Sequence, residues 1–357
     1  MESANGSSEP TPSDLELAVT GIKQNSGLVG YRNLLSYASA LGVKIFPKTS
    51  FNVESWTQLG YGSYSTTWRA EIITGAAEVV AVKQPNASFT RASVDVENTV
   101  QHEALTSIIQ ELRLLASAKL RGHRNLPAVL GVFFQEEENP VGIRPCVVFE
   151  LATYDLKQYL LAETVDGISI SPQDMARFAS DVADGIGALH TCGLVHGDVK
   201  PENILLFKRD GVLTAAVGDL GTCGACTQTS GVIIGSLHYC APEYHRGSPF
   251  AEHINSLSRD IYNYGLLLWS ILTFCRENPF APTQRFMIQH DDQAAVQSLL
   301  ERAPDRPALQ TFRNIIRQCV RSDPTTRPTI FEVSQTLDPT SNTRFALTYC
   351  VEFADAE

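Results

Sequence analysis

Apolar and polar residues alternate with the two-residue period of β-strands through most of the stretch from residue 51 to residue 150. One longer segment in that stretch, Thr99 to Leu120, repeats its apolar residues at steps of three and four, which predicts a helix. The alternating segments predict strands at Ser55–Leu59, Thr66–Ile73, Val79–Lys83, Leu126–Phe134 and Pro145–Glu150. This pattern predicts a small sheet accompanied by one helix.

The pattern changes after residue 150, where the apolar stripes have the spacing of helices. They predict helices at Met175–His190, Asp260–Phe274 and Leu309–Val320. We therefore expect an α+β fold with two lobes. The smaller, β-rich lobe would occupy residues 51–150 and the larger, mainly helical lobe residues 151–337.

The segments outside these lobes differ from them in composition. Residues 1–14 are rich in Ser, Glu, Pro and Gly, which is typical of a disordered tail. Residues 15–50 are expected to form an N-terminal extension, with a short amphipathic helix between Tyr31 and Leu41. Residues 338–357 are expected to form a C-terminal tail.

Composition and charge exclude several classes of partner. The 28 basic and 39 acidic residues leave a net charge of −11, which repels nucleic acid and anionic lipid. The longest apolar run, Leu266 to Phe274, is far shorter than the roughly 20 residues that span a bilayer, so no membrane insertion is expected. The first fourteen residues lack both basic residues and an apolar run, so we expect no targeting segment. A cytoplasmic or nuclear location is the expectation, and the sequence makes no prediction of oligomeric state.

The eight cysteines are interpreted as reduced thiols, because no secretory signal accompanies them. Cys223 and Cys226 have the CxxC spacing found in zinc and redox sites. A structural zinc site needs four ligands, and the chain has no second pair of this kind. A coincidence within a loop is the preferred interpretation, and a redox role is the alternative.

Candidate chemistry begins between the first two predicted strands, where Gly60 and Gly62 would let backbone approach a phosphate. The following strand ends in Lys83, whose amine can pair with phosphate oxygens. The predicted helix offers Glu103 and Glu111 as partners for this lysine. We prefer Glu111, because the residue four positions later is apolar, whereas Glu103 is followed at that spacing by a serine.

A second group of polar residues lies near the middle of the chain. In the segment His196 to Leu205, Asp198 and Asn203 stand five residues apart. Asp219 follows sixteen residues later, on an apolar strand and before a glycine. The amide of Asn203 and the carboxylate of Asp219 are oxygen ligands of the kind that Mg²⁺ prefers.

Taken in order, these motifs resemble the eukaryotic protein kinase family, over about residues 51–337. The resemblance extends to Ala241-Pro242-Glu243, the motif that closes the activation segment, to Asp260 as the helix residue that braces the catalytic loop, and to Arg327 as the partner of Glu243. It implies ATP as phosphate donor, Mg²⁺ as metal and proteins as substrates.

The resemblance also implies individual roles. Asp198 would be the catalytic carboxylate and Lys200 the lysine that contacts the γ-phosphate. Lys83 would contact the other phosphates while Glu111 holds it in place, and Asn203 and Asp219 would bind the metal. Phe149 would be the gatekeeper at the start of the hinge. The implied nucleotide site comprises Leu59, Gly60, Gly62, Thr67, Ala81, Lys83, Phe149, Glu150, Ala152 and Leu205.

The chain departs from the family pattern at three positions. Ser65 replaces the third glycine of the loop, where it keeps a small side chain. Leu220 replaces the usual phenylalanine and is likewise apolar. Gly197 replaces the usual arginine before the catalytic aspartate and removes a cation that would grip a phosphate. We therefore expect a kinase that does not need phosphorylation of its loop from Leu220 to Ser236.

Two other functions are compatible with parts of this pattern. A pseudokinase would bind partners or nucleotide without catalysis, but such proteins typically lose one of the residues that correspond to Lys83, Asp198 and Asp219. A small-molecule kinase shares the spacing of Asp198 and Asn203, but it lacks the Ala-Pro-Glu segment. Serine and threonine are the expected acceptors, given Lys200 and the placement of Ser236. Glu202 could favour a basic residue in the substrate.

Overall fold

The structure is a computed structural model that describes residues 37–74, 78–86, 89–90, 99–138, 141–165, 170–226, 236–244, 248–280 and 292–338. The chain forms two compact units. The first comprises Met1–Leu151 together with Asp219–Gly221, and the second comprises Ala152–Gly218 and Thr222–Glu357. The tail expected at residues 1–14, the start of the helix expected from Tyr31, and residues 339–357 lie outside the described residues.

The first unit is built on an antiparallel sheet, which in its described part has six strands in the order β1-β2-β3-β6-β4, with β5 on the other edge of β6. The strands are β1 (Thr57–Tyr61), β2 (Ser65–Ile72), β3 (Glu78–Pro85), β4 (Phe89–Thr90), β5 (Val129–Glu138) and β6 (Val141–Glu150). Helix α1 (Thr99–Ala116) accompanies the sheet. The small sheet with one helix that the sequence pattern predicts is confirmed.

Aromatic side chains fill the core beneath this sheet. The rings of Phe51 and Phe133 stack with centroids 4.4 Å apart, and Phe46 meets Phe51 edge to face at 5.6 Å. Residues 44–46 also run along β5, where the amide of Phe46 donates to the carbonyl of Val132 at 2.8 Å. Burial of large aromatic side chains stabilises a small lobe strongly. The packing of this lobe therefore extends back beyond residue 51, where we expected it to begin.

Several element boundaries differ from the predicted ones. The first strand begins at Thr57 rather than Ser55, because Val53–Ser55 form a turn of 3-10 helix. The fourth predicted strand begins at Val129 rather than Leu126, because the amide of Leu126 donates to His123 in a turn. The helix predicted to reach Leu120 ends at Ala116, where Ser117 donates back to Leu114.

The second unit is mainly helical, as predicted. Its described helices are α2 (Leu156–Val165), α3 (Pro172–Thr191), α4 (Ser258–Leu272), α5 (Asp292–Arg302), α6 (Gln310–Cys319) and α7 (Ile330–Leu337). Short strands accompany them: β7 (Tyr154–Asp155), β8 (Leu194–Val195), β9 (Ile204–Arg209), β10 (Val212–Val217) and β11 (Gly224–Ala225). The helix predicted up to Phe274 ends at Leu272, and Phe274 and Cys275 adopt left-handed backbone angles.

Helix α4 forms the centre of this unit. Every residue from Arg259 to Leu272 is buried, and Trp269 donates its indole proton to the carbonyl of Leu299 at 2.7 Å. Helix α3 is started by Ser171, whose hydroxyl accepts from the amide of Asp174, and by Pro172 in the first turn. Helix α3 is buried only in part, and its residues Gln173 and Ala176 are exposed. Within the described ranges, no helix has both the length and the apolar character needed to cross a bilayer.

Candidate active site

A buried ion cluster forms in the first unit around Lys83. Strand β3 places this lysine at 9% exposure, with its Nζ 2.6 Å from Glu111 Oε2 and 2.7 Å from Asp219 Oδ1. Burial alone would lower the pKa of Lys83, but the charges of Asp219 and Glu111 outweigh it and raise the pKa above its ordinary value. The lysine therefore stays charged at any physiological pH.

Helix α1 also contacts the short segment that carries Asp219. The amide of Leu220 donates to Glu111 Oε1 at 3.2 Å, so Glu111 holds both Lys83 and this segment. One helical turn earlier, Ser107 packs against Gly221, where there is no room for a Cβ atom. Glu103, the alternative partner for Lys83, is exposed and instead lies beside Tyr64, whose pKa is raised by burial and by this carboxylate.

The glycine-rich segment forms the hairpin between β1 and β2. Leu59 is 46% exposed and Gly60 has open space around it, and a register shift between Gln58 and Gly60 interrupts the pairing there. The side-chain amide of Asn86, beyond β3, donates to the carbonyl of Gly62 at 2.9 Å and ties the hairpin down. The sequence interpretation missed Asn86, because no pattern indicates a contact over 24 residues.

The remaining predicted nucleotide residues of this unit lie on neighbouring strands. Thr67 pairs with Lys83 across β2 and β3, and Ala81 pairs with Phe149 across β3 and β6. Phe149 is 7% exposed. Glu150 turns its side chain back into its own unit, where Oε1 accepts from the amide of Ala128 at 2.9 Å. The backbone amide of Glu150 also donates to the carbonyl of Ala128, at 3.1 Å.

In the second unit, hydrogen bonds converge on Asp198. Its Oδ2 accepts from Lys200 Nζ at 2.7 Å and from Asn203 Nδ2 at 3.0 Å, and its Oδ1 accepts from the amide of Ser236 at 2.6 Å. The same Lys200 amine donates to the hydroxyl of Ser236 at 2.5 Å. The carboxylate is fixed from both sides, next to a serine hydroxyl and a cation.

Asp260 on helix α4 supports the loop that carries Asp198. It accepts from the amides of His196 and Gly197, both at 2.8 Å, and from His190 Nε2 at 2.9 Å. Burial would raise the pKa of Asp260, but the hydrogen bond and charge of His190 and the other contacts hold it below its ordinary value. Gly197 has a φ of 78°, which a residue with a side chain rarely adopts.

Asn203 lies in the second unit and Asp219 in the first, and each offers a side-chain oxygen to a cation. The amide nitrogen of Asn203 is used on Asp198, once on its carbonyl at 2.8 Å and once on its carboxylate, so the amide oxygen remains for a metal. The side chain of Asp219 is 44% exposed despite its contact with Lys83. The amide oxygen of Asn203 and the carboxylate oxygens of Asp219 are hard donors of the kind that suits Mg²⁺. The described residues contain no group of three or more His, Cys, Asp and Glu suited to a metal.

Two further predicted residues belong to the second unit. Leu205 lies on β9, opposite Ala216 of β10, and its side chain packs against Gly218. Ala152 begins the unit and is partly buried.

A protein kinase domain model matches residues 53–337, which is most of the chain. The chain belongs to the protein kinase domain family. The resemblance inferred from the motifs is therefore confirmed, as is the α+β kinase-like fold.

Known kinases that this domain resembles are only moderately similar. The dual specificity protein kinase zakA of Dictyostelium discoideum is 26% identical over 72% of this chain and 33% of its own length. The serine/threonine-protein kinase PkaA of Streptomyces coelicolor is 25% identical over 76% of this chain and 46% of its own length. The serine/threonine-protein kinase mos of Patiria pectinifera is 26% identical over 62% and 61%. The chain thus spans between one third and about three fifths of these relatives.

The kinase domain carries the predicted pair of Glu243 and Arg327. Arg327 donates from Nη1 to Glu243 Oε1 at 2.6 Å and from Nη2 to Oε2 at 2.8 Å. Both side chains are fully buried. This bidentate geometry is the strongest that an arginine and a carboxylate adopt.

The sequence interpretation did not foresee an ion pair at Lys157. Lys157 on α2 lies 2.7 Å from Glu202 Oε1, and both side chains are about 40% exposed. Glu202, which we expected to favour a basic residue in the substrate, is therefore already paired with the amine of Lys157. The sequence gives no signal for this contact, because the two residues are 45 positions apart.

Proposed function

We propose that this kinase domain transfers the γ-phosphate of ATP to serine or threonine side chains of proteins, with Mg²⁺ as the metal. The observation that carries the proposal is the fixed position of Asp198 beside Lys200 and Ser236. Phosphoryl transfer needs a carboxylate that orients the attacking hydroxyl and a cation that offsets the charge on the transferred group. Both oxygens of Asp198 are held, by Lys200 and Asn203 on one side and by Ser236 on the other, so the carboxylate has a defined orientation for this role.

In the proposed reaction, Asp198 orients the substrate hydroxyl and accepts its proton. The hydroxyl oxygen forms a bond to the γ-phosphorus, and the bond from that phosphorus to the bridging oxygen of ADP breaks. Lys200 offsets negative charge on the transferred group, and Lys83, held by Glu111, contacts the other phosphates. Asn203 and Asp219 would hold Mg²⁺, which neutralises phosphate charge when it is bound. The residues that we propose to contact the nucleotide are Leu59, Gly60, Gly62, Thr67, Ala81, Lys83, Phe149, Glu150, Ala152 and Leu205.

Serine and threonine are the proposed acceptors because of Ser236 and Lys200. The hydroxyl of Ser236 accepts from Lys200 next to the catalytic carboxylate, which is the place that the family resemblance assigns to a hydroxyl in kinases of serine and threonine. PkaA and mos carry serine/threonine-protein kinase in their names, which supports this choice, whereas the name of zakA includes dual specificity. The first experiment therefore compares serine, threonine and tyrosine as acceptors.

The purified full chain is expected to transfer labelled phosphate from ATP to a peptide array in the presence of Mg²⁺. Serine and threonine peptides should be labelled and matched tyrosine peptides should not. Asp198→Ala should remove the signal, because the carboxylate proposed to orient the hydroxyl and accept its proton is then gone.

Each alternative gives a different result in this experiment. A folded chain that binds ATP without transferring phosphate would indicate a pseudokinase. Labelling of small aminoalcohols in place of peptides would indicate a small-molecule kinase, and equal labelling of tyrosine peptides would indicate dual specificity.

Activity is expected to be independent of phosphorylation of the loop from Leu220 to Ser236, part of which, residues 227–235, lies outside the described residues. Gly197 supplies no cation, and the adjacent Arg259 is fully buried with its Nη2 donating to the carbonyl of Gly197 at 2.9 Å. Phosphatase treatment, checked by mass spectrometry, should change peptide phosphorylation by less than about twofold. A tenfold loss that rephosphorylation restores would contradict this proposal and reveal a basic pocket that these residues do not provide.

A further inference from the structure

Helix α1 has two opposite sides with different contacts. Glu111 faces Lys83 and the segment with Asp219, as described above. Arg113 comes two residues later and is turned by about 200° around the helix, so it points to the other side. There its guanidinium lies over the ring of Tyr37, with 4.4 Å between the guanidinium carbon and the ring centroid.

The residues around Tyr37 make further contacts with the end of this helix. Residues 37–40 are helical, and Ala38 is completely buried. Just beyond α1, Arg121 donates from Nη1 to the carbonyl of Leu41 at 3.2 Å. The short helical segment therefore contacts α1 through Arg113 and the turn after α1 through Arg121.

The same segment is anchored to the sheet a few residues later. Val132 of β5 exchanges two backbone hydrogen bonds with Lys44 and Phe46, each 2.8 Å long. The neighbouring Gly131 is required there, because a Cβ atom would lie 2.6 Å from the carbonyl oxygen of Lys44 and would overlap Phe46. Residues 37–46 thus join the central sheet to the outer side of α1.

We propose that residues 37–46 form a brace that positions α1 for catalysis, with Tyr37 and Arg113 as positioning residues that act through Glu111. The sheet carries Lys83 on β3 and the brace on β5, so the brace fixes α1 relative to the strand that its glutamate must reach. When the brace is loosened, fewer molecules hold the pair of Lys83 and Glu111 at any moment. The catalytic readout of this proposal rests on the proposed phosphotransferase function.

The test compares three substitutions in the full chain. Tyr37→Ala removes the ring, whereas Tyr37→Phe keeps a ring for the guanidinium and should behave like the parent. Lys48→Ala is the matched control, because it removes an exposed ion pair with Glu136 from the same part of the chain without touching α1. Loss of one partly buried cation–π contact should lower kcat by about threefold to tenfold and leave the KM for peptide nearly unchanged.

Hydrogen exchange provides a readout that does not depend on catalysis. Amides of α1 should exchange faster in Tyr37→Ala, and at parental rates in Tyr37→Phe and Lys48→Ala. Arg113→Ala should raise the exchange rates of α1 to the same extent. The double variant with Tyr37→Ala should exchange little faster than either single variant, because the two substitutions remove the same contact.

The outcomes separate the two proposals. If the parent transfers no phosphate, the proposed function fails, while the exchange data still decide whether the brace restrains α1. If the parent is active and Tyr37→Ala matches it in kcat and in exchange, the brace proposal is wrong. Loss of activity in Tyr37→Phe as well would also contradict it, since the ring would then not be the group that matters.

Discussion

Replacing Lys83 by methionine, or Asp219 by asparagine, is expected to reduce phosphate transfer by about a hundredfold or more. The first change removes the cation proposed to contact the phosphates, and the second weakens a proposed ligand of Mg²⁺. Lys83 Nζ donates a hydrogen bond to Asp219 Oδ1 at 2.7 Å, so replacing either residue also removes a contact that positions the other. Initial rates with a serine peptide, at saturating ATP and Mg²⁺, measure the effect.

The fold should survive both substitutions. Burial raises the pKa of Glu111, so this carboxyl can take up a proton once the lysine is gone and no unpaired charge needs to remain. Lys48→Met is a suitable control, because it removes an equal charge from an exposed site. Near-parental turnover in a Lys83→Met protein that melts cooperatively would show that the site is assigned wrongly.

Replacing Arg327 by alanine is expected to lower the free energy of unfolding by about 3 to 5 kcal/mol. The change leaves Glu243 fully buried and without its bidentate partner. It also frees the carbonyls of Ser258 and Ser322, to which Arg327 donates at 2.9 and 3.1 Å. Urea denaturation of the parent and the variant gives the difference directly.

A neighbouring arginine serves as the control for this prediction. Arg321 is exposed and donates from Nη1 to the carbonyl of Thr326, so Arg321→Ala should change the free energy by less than about 1 kcal/mol. Replacing both Glu243 and Arg327 by apolar residues should recover part of the loss, because no buried charge is then left unpaired. Equal denaturation midpoints for Arg327→Ala and Arg321→Ala would contradict the pairing.

Periodicity predicted the elements whose burial repeats regularly along the chain. Helix α4 is an example, since its apolar stripe is long and nearly every residue is buried. The two-residue strands β7, β8 and β11 were not predicted, because two residues carry no measurable period. The boundaries at Thr57 and Val129 were missed because local turns, which composition signals weakly, decide where those strands begin.

The sequence predicted site residues where a motif and its spacing identify them, and it missed their partners elsewhere in the chain. The structure places Glu111, and not Glu103, against Lys83, in line with the reasoning from the apolar residue one turn later. By contrast, Asn86, Lys157 and Tyr37 contact residues that are 24, 45 and 76 positions away. Such contacts depend on the folded backbone and leave no periodic signal.

The discontinuous first unit has a consequence for synthesis on the ribosome. The main part of this unit ends at Leu151, and its remaining segment, Asp219–Gly221, begins 68 positions later. At translation rates of about 5 to 20 residues per second, the segment emerges roughly 3 to 14 seconds after the rest of the unit. During that interval Glu111 lacks the amide of Leu220 and Lys83 lacks one of its two carboxylates. The ion cluster of the nascent first unit therefore stays incomplete until these three residues have emerged.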